Sequence, residues 1–257
     1  MTYPLFTAKL GEKYKLLNTM RIIILDTETT DLNEPRLVQL GYKDLATGNI
    51  VNELFKPPVP IAWGAMATHH FTNEMVAEKP VFIGSEEYNK LNTLLQDNAV
   101  LVAHNAPFDI LTLKNEGVVV PTWIDTCRVA QHTVPSEQHK LQYLRYFLNL
   151  PMMEATAHDA LGDVLVLEAL FAHLQKVVAE KYSLQGEDEV LAKMIELSQT
   201  PLLIKTIGFG KYKGLSFEEL YNLDRAYLQW LYNSETQKSV AEQNENMVYT
   251  LKYYLGL

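Results

Sequence analysis

The run Arg21-Ile-Ile-Ile-Leu25 constrains the fold of this chain more than any other stretch. A short, unbroken series of β-branched apolar residues reads as a buried strand. Arg36–Tyr42 and Ile50–Phe55 read as two more strands. The turn signal Thr47-Gly48-Asn49 joins them into an antiparallel hairpin, and Pro57, Pro58 and Pro60 end the sheet. Beyond the prolines the pattern alternates. Ser85 caps a helix to Gln96, Ala99–Ala103 is a buried strand, and Asn105 caps a helix that starts near Pro107 and ends by Gly117. A short extended piece at Thr122–Asp125 precedes helices over Ser136–Leu148 and Asp159–Val178. Three strands followed by alternating helices and strands predict an α/β domain, a mixed sheet with helices on its faces.

The composition changes after Val178. Residues 179–199 are polar and acidic around Glu187-Asp188-Glu189 and read as a linker or connecting helix. A small module spans 200–257. In it Phe209-Gly-Lys-Tyr-Lys-Gly214 interleaves basic, aromatic and glycine residues, Ser216 caps a helix, and Tyr227–Tyr232 starts another. The α/β domain occupies 20–178, and residues 1–19 form an N-terminal extension with no assigned role.

The net charge of −9 argues against a broad nucleic-acid-coating surface. It leaves open an enzyme that grips a short piece of strand through metal ions. The segment 201–257 is neutral, with six Lys/Arg against six Asp/Glu, so the first 200 residues carry the whole excess. The single cysteine, Cys127, excludes an intrachain disulfide. The N-terminus lacks the pattern of a signal peptide, and no apolar stretch approaches the ~20 residues that span a membrane. A cytoplasmic protein without a membrane partner is expected.

Asp26 and Glu28 follow the apolar run at i and i+2, so both carboxylates project from one face at the end of a buried strand. His104-Asn-Ala-Pro-Phe-Asp109 puts Asp109 in the first turn of a helix. His158-Asp-Ala-Leu-Gly-Asp163 puts Asp163 between Leu161, Val164 and Leu165 in an apolar helix, where a charge is costly unless paired or bound to a metal. Gly162 beside it costs roughly 1 kcal/mol against alanine, which close approach of a ligand or another backbone would explain. Alone, the first motif reads better as a solvated strand end and the second as a first-turn carboxylate favoured by the helix dipole, while Asp163 is balanced between the bland and the functional reading. Together, four converging carboxylates suit two hard divalent ions, Mg²⁺ or Mn²⁺. Two such ions about 4 Å apart can hold the attacking and leaving oxygens of a phosphodiester. His158, with an unperturbed pKa near ~6.5, is the candidate base for the attacking water.

This arrangement resembles the DEDD superfamily of 3′→5′ exonucleases, in the subgroup with histidine in the last motif. Asp26-Thr-Glu-Thr-Thr30 looks like the first motif, His104–Asp109 the second and His158–Asp163 the third. The resemblance covers about residues 20–178 and implies a ribonuclease-H-like fold. It implies that Asp26 ligates both metals, Glu28 and Asp163 the first, Asp109 the second (often through water), and that His158 is the base. Phe209–Gly214 with Tyr227-Leu-Gln-Trp-Leu231, and Ala65–His69 with Met75–Pro80, are similar to the exodeoxyribonuclease X family. The first 19 residues and a longer Gln131–Leu150 stretch depart from it.

Among substrate contacts, the resemblance points to Thr27, Asn105, Phe108 and His69; a surface histidine is the competing reading of His69. Leu32 and Asn33 leave the sheet after the first motif, where an apolar side chain can stack on a terminal base or pack on its own domain. Lys211, Tyr212 and Lys213 have the composition of a phosphate-contacting loop; a hairpin turn in a structural module is the alternative. The expected partner is DNA at its 3′ end, single- or double-stranded, with release of 5′-mononucleotides in repair. A polymerase proofreading subunit, an RNA-trimming enzyme and an inactive binding module are the competing readings.

Overall fold

The computed structural model describes residues 20–151, 160–239 and 242–257. A five-stranded sheet forms the centre of the first unit, in the order β3-β2-β1-β4-β5. β1 (Arg21–Thr29) lies in the middle, antiparallel to β2 (Leu37–Asp44) and parallel to β4 (Ala99–Ala103). β3 (Ile50–Leu54) completes the hairpin, and β5 (Trp123–Asp125) runs parallel to β4. Asp44 anchors the hairpin turn. It accepts from Arg21 Nε at 2.9 Å, from the Ala46 amide at 3.0 Å and from the Thr47 hydroxyl at 2.5 Å.

Alternation along β1 sends Ile24 to one core and Ile23 and Leu25 to the other. The Ile23 face is covered by α3 (Glu86–Gln96) and α4 (Ala106–Asn115), through Leu91, Leu95, Ala106 and Leu113. The Ile24 face is covered by α5 (Thr126–Thr133), α6 (Leu141–Phe147), the long α7 (Ala160–Tyr182) and α8 (Glu187–Gln199). A smaller cluster of Val38, Ile61 and Val76 holds α1 (Trp63–His69) and α2 (Asn73–Val76) beside the sheet.

Several elements differ from the sequence expectation. α1 and α2 are helical although the segment carries no apolar period. Thr72 caps α2 by accepting from the Met75 amide. The expected helix from Ser136 begins only at Leu141, because the Ser136 hydroxyl donates to the Gln138 carbonyl and holds a turn instead. α5 was not expected; Asp125 caps it, accepting from the Cys127 amide at 3.0 Å. Asn105 does precede α4, but in the left-handed conformation, φ 69°, without a side-chain cap. The segment read as a linker is largely α8, whose Val190, Leu191, Met194 and Leu197 join the Ile24-side core. Three acidic residues in its first turn made it look solvated, whereas they favour the positive end of the helix dipole.

The chain divides into two compact units, residues 1–198 and 199–257. In the second, α9 (Phe217–Leu223), α10 (Arg225–Thr236) and α11 (Glu245–Leu255) enclose Ile207, Phe217, Leu220, Leu228, Leu231, Met247, Leu251 and Leu255. Ser216 and Glu219 make a reciprocal capping box on α9. Among the described residues, no helix is long and apolar enough to cross a membrane.

Candidate active site

β1 extends to Thr29, so Asp26 and Glu28 stand within the strand rather than past its end. Both project on the face that α7 covers. Their cross-strand neighbours on β2 are Gly41 for Asp26 and Gln39 for Glu28. Those two residues dock the first turn of α7. The Gln39 side chain accepts from the Ala160 amide at 3.1 Å, one of the four donors that a helix start leaves unsatisfied. Gly41 lets α7 come close: a Cβ there would lie 2.7 Å from Ala160 Cβ and 2.8 Å from its carbonyl carbon. Asp163, one turn into α7, is carried over the strand. Potential ligand oxygens of Asp26, Glu28 and Asp163 all lie within 4.8 Å of one another.

Asp109 is placed differently. Its Oδ1 accepts from both the amide and the hydroxyl of Thr27, at 3.1 and 2.8 Å. Thr27 points from β1 to the opposite side from Asp26 and Glu28, so the three-carboxylate group does not include Asp109. Burial pushes the Asp109 carboxyl up to about 7, against the opposing pull of the Thr27 bonds. α4 is fixed at both ends. The Asn105 amide donates to Asp125 Oδ1 at 2.9 Å, and Glu116 just past the helix pairs with Arg36 at 2.8 Å and accepts from the Leu37 amide.

The sequence-derived substrate contacts divide. Thr27 is spent on Asp109. His69 is buried rather than on the surface: its Nδ1 accepts from the Phe71 amide at 3.0 Å, so Nε2 carries the hydrogen and donates to the Thr29 carbonyl at 3.2 Å. Burial holds this imidazole below its ordinary pKa. With both nitrogens occupied it clamps the end of β1 next to the register shift between Glu28 and Thr29. Leu32 and Asn33 do emerge into solvent, Leu32 at 80% exposure, on a turn held by Asp31, whose Oδ1 accepts from the Leu32 amide. Asn105 is exposed and Phe108 half-buried. His158 lies outside the described residues.

The sequence reading missed Trp63, 86% exposed at the start of α1. The amide of Ala62 donates to the Thr30 carbonyl at 2.9 Å, which ties this segment to the chain just before Leu32. An isolated tryptophan carries no local signal; only its exposure singles it out. In the second unit, Lys211 and Lys213 are exposed, but Tyr212 is not a free stacking platform. Its hydroxyl donates to Asp224 at 2.5 Å and its ring packs edge-on to Tyr227 at 4.9 Å. The backbone around it closes as a tight loop, with the Ile207 amide donating to the Leu215 carbonyl and the Gly214 amide to the Ile207 carbonyl. Trp230, tilted against Tyr227, and Phe209 are the aromatics exposed nearby among the described residues.

The sequence pattern of the Exonuclease family (RNase_T) matches residues 23–171, which include both β1 carboxylates, Asp109 and Asp163. The chain belongs to this family. A second pattern, that of the exodeoxyribonuclease X-like C-terminal segment, matches residues 207–235 of this exonuclease. Exodeoxyribonuclease 10 of Escherichia coli (strain K12) is 29% identical over 245 residues, covering 90% of this chain and 97% of that protein. DNA polymerase III subunit epsilon of Buchnera aphidicola subsp. Acyrthosiphon pisum (strain APS) is 30% identical over 179 residues, 60% of this chain and 73% of that one. Among solved structures, exonuclease X in complex with 5′ overhanging duplex DNA superposes with a TM-score of 0.52 at 26% identity, covering 69% of this chain and 99% of that one. E. coli exonuclease I in complex with a dT13 oligonucleotide shares the fold, with a TM-score of 0.53 at 15% identity over 64% of this chain and 43% of that one. The family's ribonuclease-H-like fold is thus the one this exonuclease adopts.

Proposed function

We propose that this exonuclease removes 5′-mononucleotides from the 3′ end of DNA with two divalent cations, Mg²⁺ or Mn²⁺. The convergence of Asp26, Glu28 and Asp163 within 4.8 Å carries this reading. The donors are all carboxylate oxygens, which suit hard cations, and their mutual repulsion requires a counter-charge. Asp26, Glu28 and Asp163 would hold the cations, with Asp109 in the ligand role that the family resemblance gives it. When bound, the cations supply charge stabilisation at the attacking and leaving oxygens of the phosphodiester.

The protein groups do the rest. β1 and α7 fix the carboxylates before substrate arrives, so little reorganisation remains for the reaction. His158, in the role the family resemblance gives it, takes the proton from the attacking water. Leu32 and Trp63 offer apolar faces on which the terminal base can rest, and Asn33, Asn105 and Phe108 flank the path of the strand. Lys211, Lys213 and Trp230 give the second unit charge and a stacking face for nucleic acid.

A repair enzyme acting alone fits better than a polymerase subunit. The similarity to Exodeoxyribonuclease 10 extends through the second unit, whereas that to the epsilon subunit covers 60% of this chain. Incubation of the full chain with end-labelled single-stranded, duplex and RNA oligomers of one sequence, with and without Mg²⁺, tests the reading. A ladder of shortened 5′-labelled DNA that needs the cation is expected. Equal trimming of RNA would move the substrate to RNA, and internal cuts would overturn the assignment.

A further inference from the structure

Gln142 stands on α6, and its side chain reaches across to α7. Its amide nitrogen donates to Asp163 Oδ1. The orientation of that amide is fixed from behind: buried Arg145 donates to Gln142 Oε1 at 3.4 Å. A guanidinium has no acceptor and a carboxylate has no donor. An amide between them satisfies both only with its oxygen toward Arg145 and its nitrogen toward Asp163. We infer that Gln142 is a positioning residue that sets the rotation of the Asp163 carboxylate for cation binding. The inference rests on the proposed role of the carboxylate group as the cation site.

The physical case has three parts. Asp163 projects from an apolar helix and is 9% exposed, so water offers it little alternative partnership. A donor on Oδ1 holds the carboxylate in one rotation, which removes an ordering cost from cation binding. The donor is itself polarised by the guanidinium, so a chain of two hydrogen bonds carries positive character toward the carboxylate without placing a competing cation on it. Gln39 fixes the same helix through its backbone, so α7 and the Asp163 side chain are held by independent contacts from β2 and α6.

The test is titration of the metal-free full chain with Mn²⁺, read by calorimetry, for wild type, Gln142→Met, Gln142→Ala and Asp163→Asn. Loss of such an outer partner weakens metal affinity by about 10–100-fold. The expectation for Gln142→Met is a Kd for Mn²⁺ at least about tenfold weaker, with unchanged KM for DNA at saturating Mn²⁺. Gln142 is half-buried, so the alanine variant, which favours the helix and opens the site to water, serves if methionine disturbs packing. A Kd within twofold of wild type in the folded variants overturns the inference, as does a fall in Tm with no change in Kd. If Asp163→Asn binds Mn²⁺ as wild type does, the cation-site reading itself fails. If Asp163→Asn loses binding while both Gln142 variants keep it, only the role of Gln142 falls.

Discussion

Gly41→Ala is the smallest change that should separate the active-site carboxylates without touching one. The added Cβ would sit 2.7 Å from Ala160 Cβ, 2.8 Å from its carbonyl carbon and 3.0 Å from its carbonyl oxygen. Two of these three atoms are backbone, so no side-chain rotation relieves the clash; α7 or β2 must move. Overpacking of this kind costs about 1–3 kcal/mol. For a protein of this size each kcal/mol lowers Tm by roughly 2–4 °C, so a fall of about 2–12 °C is expected. The displacement falls on the first turn of α7, which carries Asp163, while Asp26 stays on β1 opposite residue 41. A misplacement near 1 Å at a catalytic constellation costs on the order of 10²-fold in rate. The assay is thermal unfolding of the metal-free protein beside single-turnover cleavage of a 3′-terminal nucleotide. A large loss of rate with a modest fall in Tm is expected, because the site is far less tolerant than the core. A Tm within about 1 °C of wild type and a rate within threefold would refute the claim that the Gly41–Ala160 approach sets the spacing.

Asp26→Asn or Asp163→Asn should abolish cleavage in Mg²⁺, with metal-free Tm held or raised because like-charge repulsion falls; activity within tenfold of wild type would contradict the cation-site reading. His158→Ala should lower the rate by roughly 10²–10⁴ while Mn²⁺ binding survives; an unchanged rate would assign the base elsewhere. The Arg21 bonds hold Asp44 down at about 2, below its unfolded value, so this pair's stabilisation is complete above pH ~4 and is lost as pH falls toward 2. That is roughly 2 kcal/mol, and acid titration of stability in wild type against Asp44→Asn should show a shallower slope for the variant between those limits. Replacing Lys211 and Lys213 by alanine should raise KM on long DNA and reduce the log–log salt slope by ~0.7–0.9 per lost phosphate contact, with little change on a dinucleotide. Trp230→Ala should act more strongly than Tyr212→Phe, since Trp230 is the exposed ring.

Local chemistry made much of the protein legible. The apolar runs at Arg21–Leu25 and Ala99–Ala103 had to be buried, and the sheet order places them side by side at its centre. Ser85 and Ser216 announced their helices because a cap needs only its own neighbours. Asp26 and Glu28 shared a face by the two-residue period of a strand, and an acid in an apolar helix marked Asp163 as a residue that needs a partner. All of these signals are short-range, so they survive in the order of the residues.

What tertiary structure alone decided lies between distant segments. Gly41 reads as an ordinary strand glycine until α7 is laid against it. Gln39 and Gln142 are unremarkable amides until one meets the start of α7 and the other the Asp163 side chain. His69 carries the same sequence signal whether its ring lies on the surface or is buried against the Thr29 carbonyl; only the packed chain buries it. Tyr212 offered a stacking face in sequence and lost it to Asp224 and Tyr227. The polar surface of α8 concealed four apolar residues whose use required a core to join. Sequence specifies which residues must find partners, because burial energy and backbone geometry act over a few residues. Which partner each finds depends on contacts made across dozens of residues, and only the packed chain fixes those.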